Sequence, residues 1–469
     1  METLNTINDV LWTYVVIALL VGCALYFTIR LKGLQLRCLR ETLRCLRSSD
    51  EDRVPGEKHV SSFQAFAVSL SSRVGTGNLA GVASAICVGG PGAVFWMWVM
   101  ALLGSATAFV EATLAQLYKR KGDGTFYGGP AYYMQHGLHR KWMGVLFAVL
   151  ITMTFGLANQ VVQSTTICDG VSDLFVFDKR LAGVGLTMLM AVIVFGGVHR
   201  VSRFSAVVVP TMAVGYILLS VFIVLTHITQ IPDVLALIVR SAFGMEQATG
   251  GMVGIAVMQG VKRGLFSNEA GEGSAPNAAA IASVSHPVKQ GFLQAVGVFA
   301  DTLVICTCTA AIILIAGNYD SGRDGILLTA DALQITVGAS GRYFLTAAIF
   351  LFAFSTIIAN CFYGETNIRF ITDRKWAVQL FRVFSCGTVL AGSMMSLQTA
   401  WVFVDICMGL MTICNIVAIV QLFPKTKMLF EDYINQRREG KDPRYHHPVT
   451  EDIESWGHKP KSKWKKNDK

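Results

Sequence analysis

The sequence contains few charged residues. Aspartate, glutamate, lysine and arginine make up 15% of its 469 residues, whereas hydrophobic residues make up 53% and the mean hydropathy is +0.49. Soluble domains are about one quarter charged and lack repeated apolar runs of about twenty residues. The composition therefore excludes a soluble domain and predicts an all-α membrane protein that crosses the bilayer many times.

The chain also lacks the residue patterns of enzymes and metal centres. Its eleven cysteines are scattered, and the close pair Cys306 and Cys308 has no second pair at metal-ligand spacing. No His-x-His, HExxH or Ser-His-Asp arrangement falls at membrane depth. A channel would more naturally build its filter from short repeated loops. These absences disfavour an enzyme and a channel, and they leave a transporter or a membrane sensor open.

Most basic residues lie in loops and in the C-terminal tail. The net charge of +9 therefore indicates contact with anionic lipid headgroups rather than with nucleic acid. No small-residue cleavage site follows the first apolar run, so this run is a retained helix and not a signal peptide. Basic segments recur on alternate sides of the predicted spans, which places the N-terminus outside and the C-terminus in the cytoplasm. Windows of about twenty apolar residues predict about eleven spans, near 11–30, 62–88, 92–118, 142–164, 181–198, 205–226, 248–282, 291–316, 343–364, 377–397 and 400–423.

Two of these spans are interrupted by residues that helices disfavour. The second contains "SRVGTGNLAG" at 72–81, and the seventh contains "LFSNEAGEGSAPN" at 265–277. If the first span is set aside, the two interruptions open two five-helix halves, which is the pattern of a transporter with its substrate site at the breaks. Freed N–H groups suit a carboxylate and freed carbonyls suit a cation. Close packing of small residues would account for one such segment, but not for two matched ones carrying Asn, Ser and Glu.

The motifs at these breaks closely resemble those of the alanine/glycine:cation symporter family. "VGTGNLAGVASAI", "GGPGAVFWMW" and "RGLFSNEAGEGSAPNAAA" carry the resemblance, which runs from the first span to about residue 423. It implies the leucine-transporter-like fold, with one N-terminal helix added to a core of two inverted five-helix repeats. The expected divisions are an N-terminal helix with a basic loop (1–61), the first repeat (62–226), the second repeat (240–423) and a polar, basic cytoplasmic tail (424–469).

The resemblance also implies a function and a set of site residues. It implies a symporter of the bacterial inner membrane that imports alanine or glycine with Na⁺, the coupling ion and only expected cofactor. The alternative is a Na⁺- or H⁺-coupled importer of a larger neutral amino acid such as glutamine. Oxygen-only ligation suits a hard cation. The implied Na⁺ ligands are Ser71, Val74, Ser355 and Thr356, and the implied substrate residues are Thr76, Gly77, Asn78, Gln163, Phe266, Ser267 and Asn268. Without the resemblance, the Ser355 and Thr356 hydroxyls would be expected to bond carbonyls of their own helix.

The sequence departs from the common family pattern in three places. Asn360 and Cys361 stand where many members have an aromatic surface, so Asn360 is a candidate selector of the substrate side chain. Arg73 replaces a small residue and Glu272 replaces Leu or Met. Because charges within a membrane are usually paired, we expect Arg73 and Glu272 to neutralise each other. Five further charged residues near or within the spans receive no assigned role: Glu111, Lys262, Arg263, Asp301 and Asp405.

Overall fold

The computed structural model describes residues 2–47, 60–122, 125–175, 177–244 and 250–445, and these residues are predominantly helical. The N-terminal part begins with one continuous helical stretch, formed by α1 (Glu2–Val10), a π-helical segment (Leu11–Val16) and α2 (Ile17–Arg30). Two short helices follow, α3 (Leu34–Arg37) and α4 (Leu39–Arg47). The apolar stretch Thr6–Arg30 is long enough to cross a bilayer.

The first interrupted helix begins at a capping box. Ser61 accepts a hydrogen bond from the Gln64 amide, and the Gln64 side chain accepts one from the Ser61 amide, which fixes the start of α5 (Ser62–Arg73). A π-helical segment (Gly77–Gly81) and α6 (Val82–Gly89) continue beyond the break.

The rest of the first half contains long helices and one small hairpin. Its elements are α7 (Gly92–Leu117), β1 (Arg120–Gly122), β2 (Thr125–Tyr127), α8 (Pro130–His136), α9 (Lys141–Met153), a π-helical segment (Thr154–Ala158), α10 (Asn159–Phe175), α11 (Lys179–Val194), α12 (Val198–Thr226), a 3-10 turn (Ile228–Gln230) and α13 (Ile231–Ala242). The strands pair antiparallel, with Arg120 opposite Tyr127.

The second half opens with the other interrupted helix. It consists of α14 (Gly250–Asn268), an irregular segment and the single turn α15 (Pro276–Ala279). The remaining elements are α16 (Pro287–Val298), a π-helical segment (Phe299–Cys306), α17 (Thr307–Ala316), α18 (Gly325–Val337), α19 (Ala339–Ile371), α20 (Lys375–Gly392) and α21 (Leu397–Arg438).

The structure confirms the predicted all-α membrane fold, although the number of eleven spans stays a prediction. The first interrupted helix lies outside the set of long apolar stretches because its break leaves only short helices. The 19 residues of α14 are long enough, but their glycines and their polar and charged residues lower the mean hydropathy. Among the described residues, seven stretches are long and apolar enough to cross a bilayer: Thr6–Arg30, Gly92–Leu117, Lys141–Phe175, Val198–Thr226, Pro287–Ala316, Ala339–Ile371 and Trp401–Arg438.

Helices α5, α14 and α19 lie in the interior of the bundle. Helix α5 packs against α12 and α19, and α14 packs against α6 and α7. Every residue of α19 from Phe352 to Asn367 is buried, and this run includes polar side chains. Because these side chains are buried in protein rather than exposed to lipid, they can satisfy the interrupted helices beside them.

Helix α21 continues beyond the expected tail boundary at residue 424. It runs through Pro424 to Arg438, and the following residues fold back onto the start of α16, where the Tyr445 amide donates to the Ser285 carbonyl at 2.9 Å. Arg437 also pairs with Glu41 of α4 at 3.1 Å. The first part of the predicted tail is therefore an ordered helical extension of the last span.

Candidate functional site

The first break places glycines against side chains of other helices. A Cβ on Gly75 would lie 2.3 Å from Thr356 Oγ1, and one on Gly77 would lie 3.0 Å from the Phe266 ring. Only glycine permits such close approach without displacing the neighbour. The freed amides still find partners, since Gly75 N donates to Asn78 Oδ1 at 2.9 Å and Thr76 N donates to Gln163 Oε1 at 3.2 Å. Asn78 and Gln163 therefore replace the helical carbonyls lost at the break.

The second break is held open by left-handed backbone and by Glu111. Glu269, Gly271 and Gly273 have φ angles of 57°, 102° and 86°, which end α14 because a right-handed helix cannot include them. The Gly271 amide donates to Glu111 Oε2 at 3.1 Å, and Asn415 Nδ2 donates to both Glu111 Oε1 at 2.5 Å and the Gly271 carbonyl at 3.0 Å. Glu111, which had no assigned role, thus supports the unwound backbone.

Asn78 joins the two breaks to each other. Its Nδ2 donates to Ser267 Oγ at 3.1 Å and to Asp301 Oδ1 at 2.7 Å. Ser267 Oγ in turn donates to Asp301 Oδ2 at 2.5 Å. Asp301 lies in the π-helical segment of the following span and is fully buried. The sequence motifs did not assign Asp301 to this site, and its intramembrane charge was the available signal.

Only some of the expected Na⁺ ligands point toward a common centre. Thr356 Oγ1 lies 2.9 Å from the Ser71 carbonyl and 3.4 Å from the Val74 carbonyl, so three oxygens from α19 and the end of α5 meet at one point. Both hydroxyls also contact the Phe352 carbonyl of their own helix, Ser355 Oγ at 2.8 Å and Thr356 Oγ1 at 3.0 Å, as expected without the resemblance. Ser355 Oγ has no contact with the carbonyls of α5 among the described residues, whereas the Ser355 carbonyl accepts from Ser71 Oγ at 2.7 Å. Neutral oxygens of this kind fit a hard monovalent cation, and Thr356 makes the stronger ligand candidate.

The remaining predicted substrate residues lie around this junction. The Phe266 ring packs edge-on against Trp401, with 4.5 Å between ring centroids. Asn268 Nδ2 donates to Thr302 Oγ1 at 3.3 Å, and its Oδ1 accepts from the Ala270 amide at 3.0 Å. Asn360, one turn after Thr356, lies with its Oδ1 at 2.8 Å from Ser72 Oγ. Asn268, at the end of α14, therefore joins the second break to the π-helical segment after α16, whereas Asn360 contacts the first interrupted helix.

The prediction that Arg73 and Glu272 form an ion pair is wrong, because the two side chains do not meet. Arg73 Nη1 donates to the Gln294 carbonyl of α16 at 3.2 Å, and Glu272 Oε1 accepts from Ser274 Oγ at 3.2 Å. Within the described chain, no nitrogen–oxygen contact of 4.0 Å or less joins Arg73 to Glu272. The reason is that Arg73 extends along α16, toward Gly297, whereas Glu272 turns back onto its own irregular segment.

Lys262 and Arg263 share one carboxylate. Their distances to Asp405 Oδ2 are 2.6 and 3.0 Å, and the Arg263 guanidinium also lies 4.2 Å from the centre of the Trp401 ring. This contact explains how three charged residues, which had no assigned role, are accommodated inside the bundle.

Comparison with known proteins identifies the family. The sodium:alanine symporter family matches residues 1–447. The chain belongs to this family. It is thus a sodium-coupled amino-acid symporter and not an enzyme, as the sequence predicted.

Relatives in the sodium:alanine symporter family include the probable sodium/glutamine symporter GlnT of Bacillus subtilis, 48% identical over 96% of this chain and 94% of its own length. The amino-acid carrier protein AlsT of Bacillus subtilis is 46% identical over 97% of both chains. The sodium/proton-dependent alanine carrier protein of Bacillus sp. strain PS3 is 36% identical over 83% of this chain and 91% of its own length.

Asn78→Ala tests the junction of the two breaks in this symporter. The substitution removes the bonds to Gly75, Ser267 and Asp301. We expect uptake to fall at least about tenfold, because losing one buried bond of about 1.4 kcal/mol already has that effect. Uptake is measured in proteoliposomes with equal amounts of inserted protein. Asn318→Ala, in the loop after α17, is the control and should transport normally; normal transport by Asn78→Ala would contradict the site.

Thr356→Ala tests the converging oxygens. We expect the Na⁺ concentration for half-maximal uptake to rise about tenfold, as for loss of one contact of about 1.4 kcal/mol. Thr356→Ser retains the hydroxyl and should stay within about twofold. Ser355→Ala is the matched neighbour whose hydroxyl contacts the Phe352 carbonyl of its own helix but, unlike Thr356, neither the Ser71 nor the Val74 carbonyl, and it should also change little. A larger effect in Ser355→Ala than in Thr356→Ala would reverse the assignment.

Proposed function

We propose that this symporter imports alanine or glycine together with Na⁺ across the bacterial inner membrane. The observation that supports this proposal best is the meeting of both broken helices at Asn78, Ser267 and Asp301. The carboxylate and ammonium groups of an amino acid lie close together and carry opposite charges, so they need partners of opposite character. In this proposal the amides of Gly75 and Thr76 exchange their side-chain partners, Asn78 and Gln163, for the substrate carboxylate. The buried Asp301 carboxylate pairs with the ammonium group.

In this proposal Na⁺ binds beside the substrate and organises the first break. The Ser71 and Val74 carbonyls come from the end of α5, whereas Thr356 comes from α19. A cation shared by these oxygens would tie the two helices together and fix the amides of Gly75 and Thr76. Binding of Na⁺ and of the amino acid would therefore favour each other, because each orders backbone that the other uses.

The membrane potential would supply part of the driving force. In this proposal the N-terminus is outside and the C-terminus is in the cytoplasm. Inward movement of one Na⁺ is then favoured by about 2.3 kcal/mol for each 100 mV of membrane potential. Since about 1.4 kcal/mol corresponds to a tenfold ratio, one Na⁺ would drive more than tenfold accumulation.

Uptake of labelled alanine into proteoliposomes tests the proposal directly. We expect saturable uptake under an inward Na⁺ gradient, and no accumulation when K⁺ replaces Na⁺ at equal ionic strength. Uptake that follows a proton gradient and ignores Na⁺ would favour H⁺ as the coupling ion. Uptake that rises linearly with concentration, without a fixed ion stoichiometry, would contradict a symporter.

Glutamine is the second candidate substrate, and Asn360 is the residue that favours it. Its side chain is fully buried beside the first break, and Asn can hydrogen-bond a substrate amide where an aromatic residue would exclude one. A relative that covers almost the whole chain is named a probable sodium/glutamine symporter. A site that bonds a polar group strongly rejects substrates lacking that group, so the two candidates predict different competition profiles.

Competition against labelled alanine in wild type and Asn360→Trp separates the candidates. If glutamine is a substrate, it should inhibit alanine uptake in wild type and lose at least about tenfold in potency in Asn360→Trp, since a lost bond and a filled pocket each contribute about 1–3 kcal/mol. The potency of unlabelled alanine as a competitor should differ by less than about threefold between wild type and Asn360→Trp. Asn318→Trp serves as a control for the bulky side chain. Inhibition by alanine and glycine alone, unchanged in Asn360→Trp, would exclude Asn360 as the selector.

A further inference from the structure

The junction of the two breaks contains more buried acids than bases. Glu111, Glu269, Glu272 and Asp301 are each at most 1% exposed. Arg73 is the basic side chain whose charge acts on all four. A buried carboxylate without a counter-charge or sufficient donors is strongly unfavourable. The proposed Na⁺ ligands are neutral oxygens that include none of these carboxylates, so Na⁺ does not pair directly with any of them.

Two of the four acids have the donors that an ionised carboxylate requires. Asp301 accepts from Ser267 Oγ, Asn78 Nδ2 and Thr302 Oγ1 at 2.5 to 2.9 Å. Glu111 accepts at both oxygens, from the Gly271 amide and from Asn415 Nδ2. Ionised carboxylates act only as acceptors, and these arrangements satisfy them.

Glu269 and Glu272 compete for a single hydroxyl proton. Ser274 Oγ lies 2.6 Å from Glu269 Oε2 and 3.2 Å from Glu272 Oε1. A serine hydroxyl has one proton and can donate to only one of them. The shorter contact identifies Glu269 as its acceptor. Glu272 Oε2 has no hydrogen-bond partner within the described chain, so an ionised Glu272 would be fully buried with no donor.

Asn360 provides an independent indication of where the protons lie. Ser72 Oγ contacts Glu269 Oε1 and lies 2.8 Å from Asn360 Oδ1, and one hydroxyl cannot donate to both. Asn360 Nδ2 is fully buried and has no partner among the described residues. With the amide O and N exchanged, Nδ2 donates to Ser72 and Ser72 donates to Glu269. Glu269 then accepts from both Ser72 and Ser274 and is the ionised acid of the two, and the charge of Arg73 acts on it without a direct contact.

The remaining contact, between Glu272 Oε1 and Ser274 Oγ, requires a proton on Glu272. We propose that Glu272 is a proton-binding site of this symporter, which carries a proton while the two broken helices are closed against each other. Its carboxylic O–H donates to Ser274 Oγ, and Ser274 donates to Glu269. This arrangement gives every contact in the chain from Glu272 to Asn360 one proton and one acceptor. No bond other than O–H is formed or broken, and the proton comes from water.

The surroundings of Glu272 favour this protonated form. The charged and titratable groups that act on it are Glu269 on the same irregular segment, Glu111 on α7 and Arg73 on α5. Two of these three groups are acidic, and Arg73 is engaged by Gln294 of α16 without contacting Glu272. If transport reopens this segment to water, Glu272 can ionise there. Closing the site then requires a proton, so pH and transport are linked. This last step rests on the proposed function, whereas the position of the proton does not.

Infrared spectroscopy of the purified protein tests the position of the proton without transport. Wild type at neutral pH should show a carboxylic-acid C=O band that shifts in D₂O and is lost in Glu272→Gln. Glu111→Gln is the matched control, because Glu111 is equally buried but accepts donors at both oxygens, and the band should persist in it. Absence of the band from wild type, its persistence in Glu272→Gln, or its loss in Glu111→Gln alone would overturn the proposal. Glu272→Met, also uncharged, replaces Glu272→Gln if the latter does not fold.

The pH dependence of uptake tests the link to transport. Because the closed state holds the proton, closure is favoured at low pH and is lost as pH rises. We expect the amino-acid concentration that gives half-maximal uptake by wild type to rise at alkaline pH, by at most about tenfold per pH unit for one proton. Glu272→Gln should remove this dependence while Na⁺ dependence remains. A wild-type pH profile in Glu272→Gln would overturn the link, whereas loss of Na⁺ dependence in wild type would contradict the proposed function instead.

Discussion

The fold depends on the need to satisfy backbone groups that are freed inside the bundle. Breaking a helix in a dehydrated environment leaves N–H and C=O groups without partners, at several kcal/mol each. Here the two breaks solve this problem with side chains from other helices. Gln163 and Asn78 accept from the first break, while Glu111 and Asn415 bind the second. The positions of α7, α10 and α21 around the breaks follow from this requirement.

The same polar partners give the junction its chemical character. Side chains that hold unwound backbone also place a carboxylate, hydroxyls and carbonyls within a few ångströms of each other. Asp301 bonds both Asn78 and Ser267, and Thr356 faces the last carbonyls of α5. The proposed site for a zwitterion and a small cation therefore uses the groups that stabilise the breaks. Movement of either broken helix would disturb both binding sites together, which is the physical basis for coupling them.

Charge distribution separates the interior into two kinds of cluster. Around Asp405 two cations share one carboxylate, and an aromatic ring covers the Arg263 guanidinium. Around the second break, the charge of one arginine acts on four acids. Hydroxyl and amide donors satisfy Glu111, Glu269 and Asp301, whereas we propose that a proton neutralises Glu272. This acidic cluster includes the left-handed residues of the second break. The cationic cluster lies between regular helices α14 and α21.

Local patterns in the sequence determined the membrane fold, the symporter family and the position of both helix breaks. Apolar runs and glycine-rich interruptions reflect local backbone and solvation preferences, so they can be recognised along the chain. The partners of the breaks could not be recognised in this way. Asp301 lies 223 residues from Asn78, and Thr356 lies 285 residues from Ser71. Arg73 and Glu272 have complementary charges and occupy the two breaks, which suggested an ion pair, yet their side chains point to different neighbours. The tertiary structure alone decided which polar groups meet, because hydrogen bonds and ion pairs depend on distances and directions that charge and spacing do not specify.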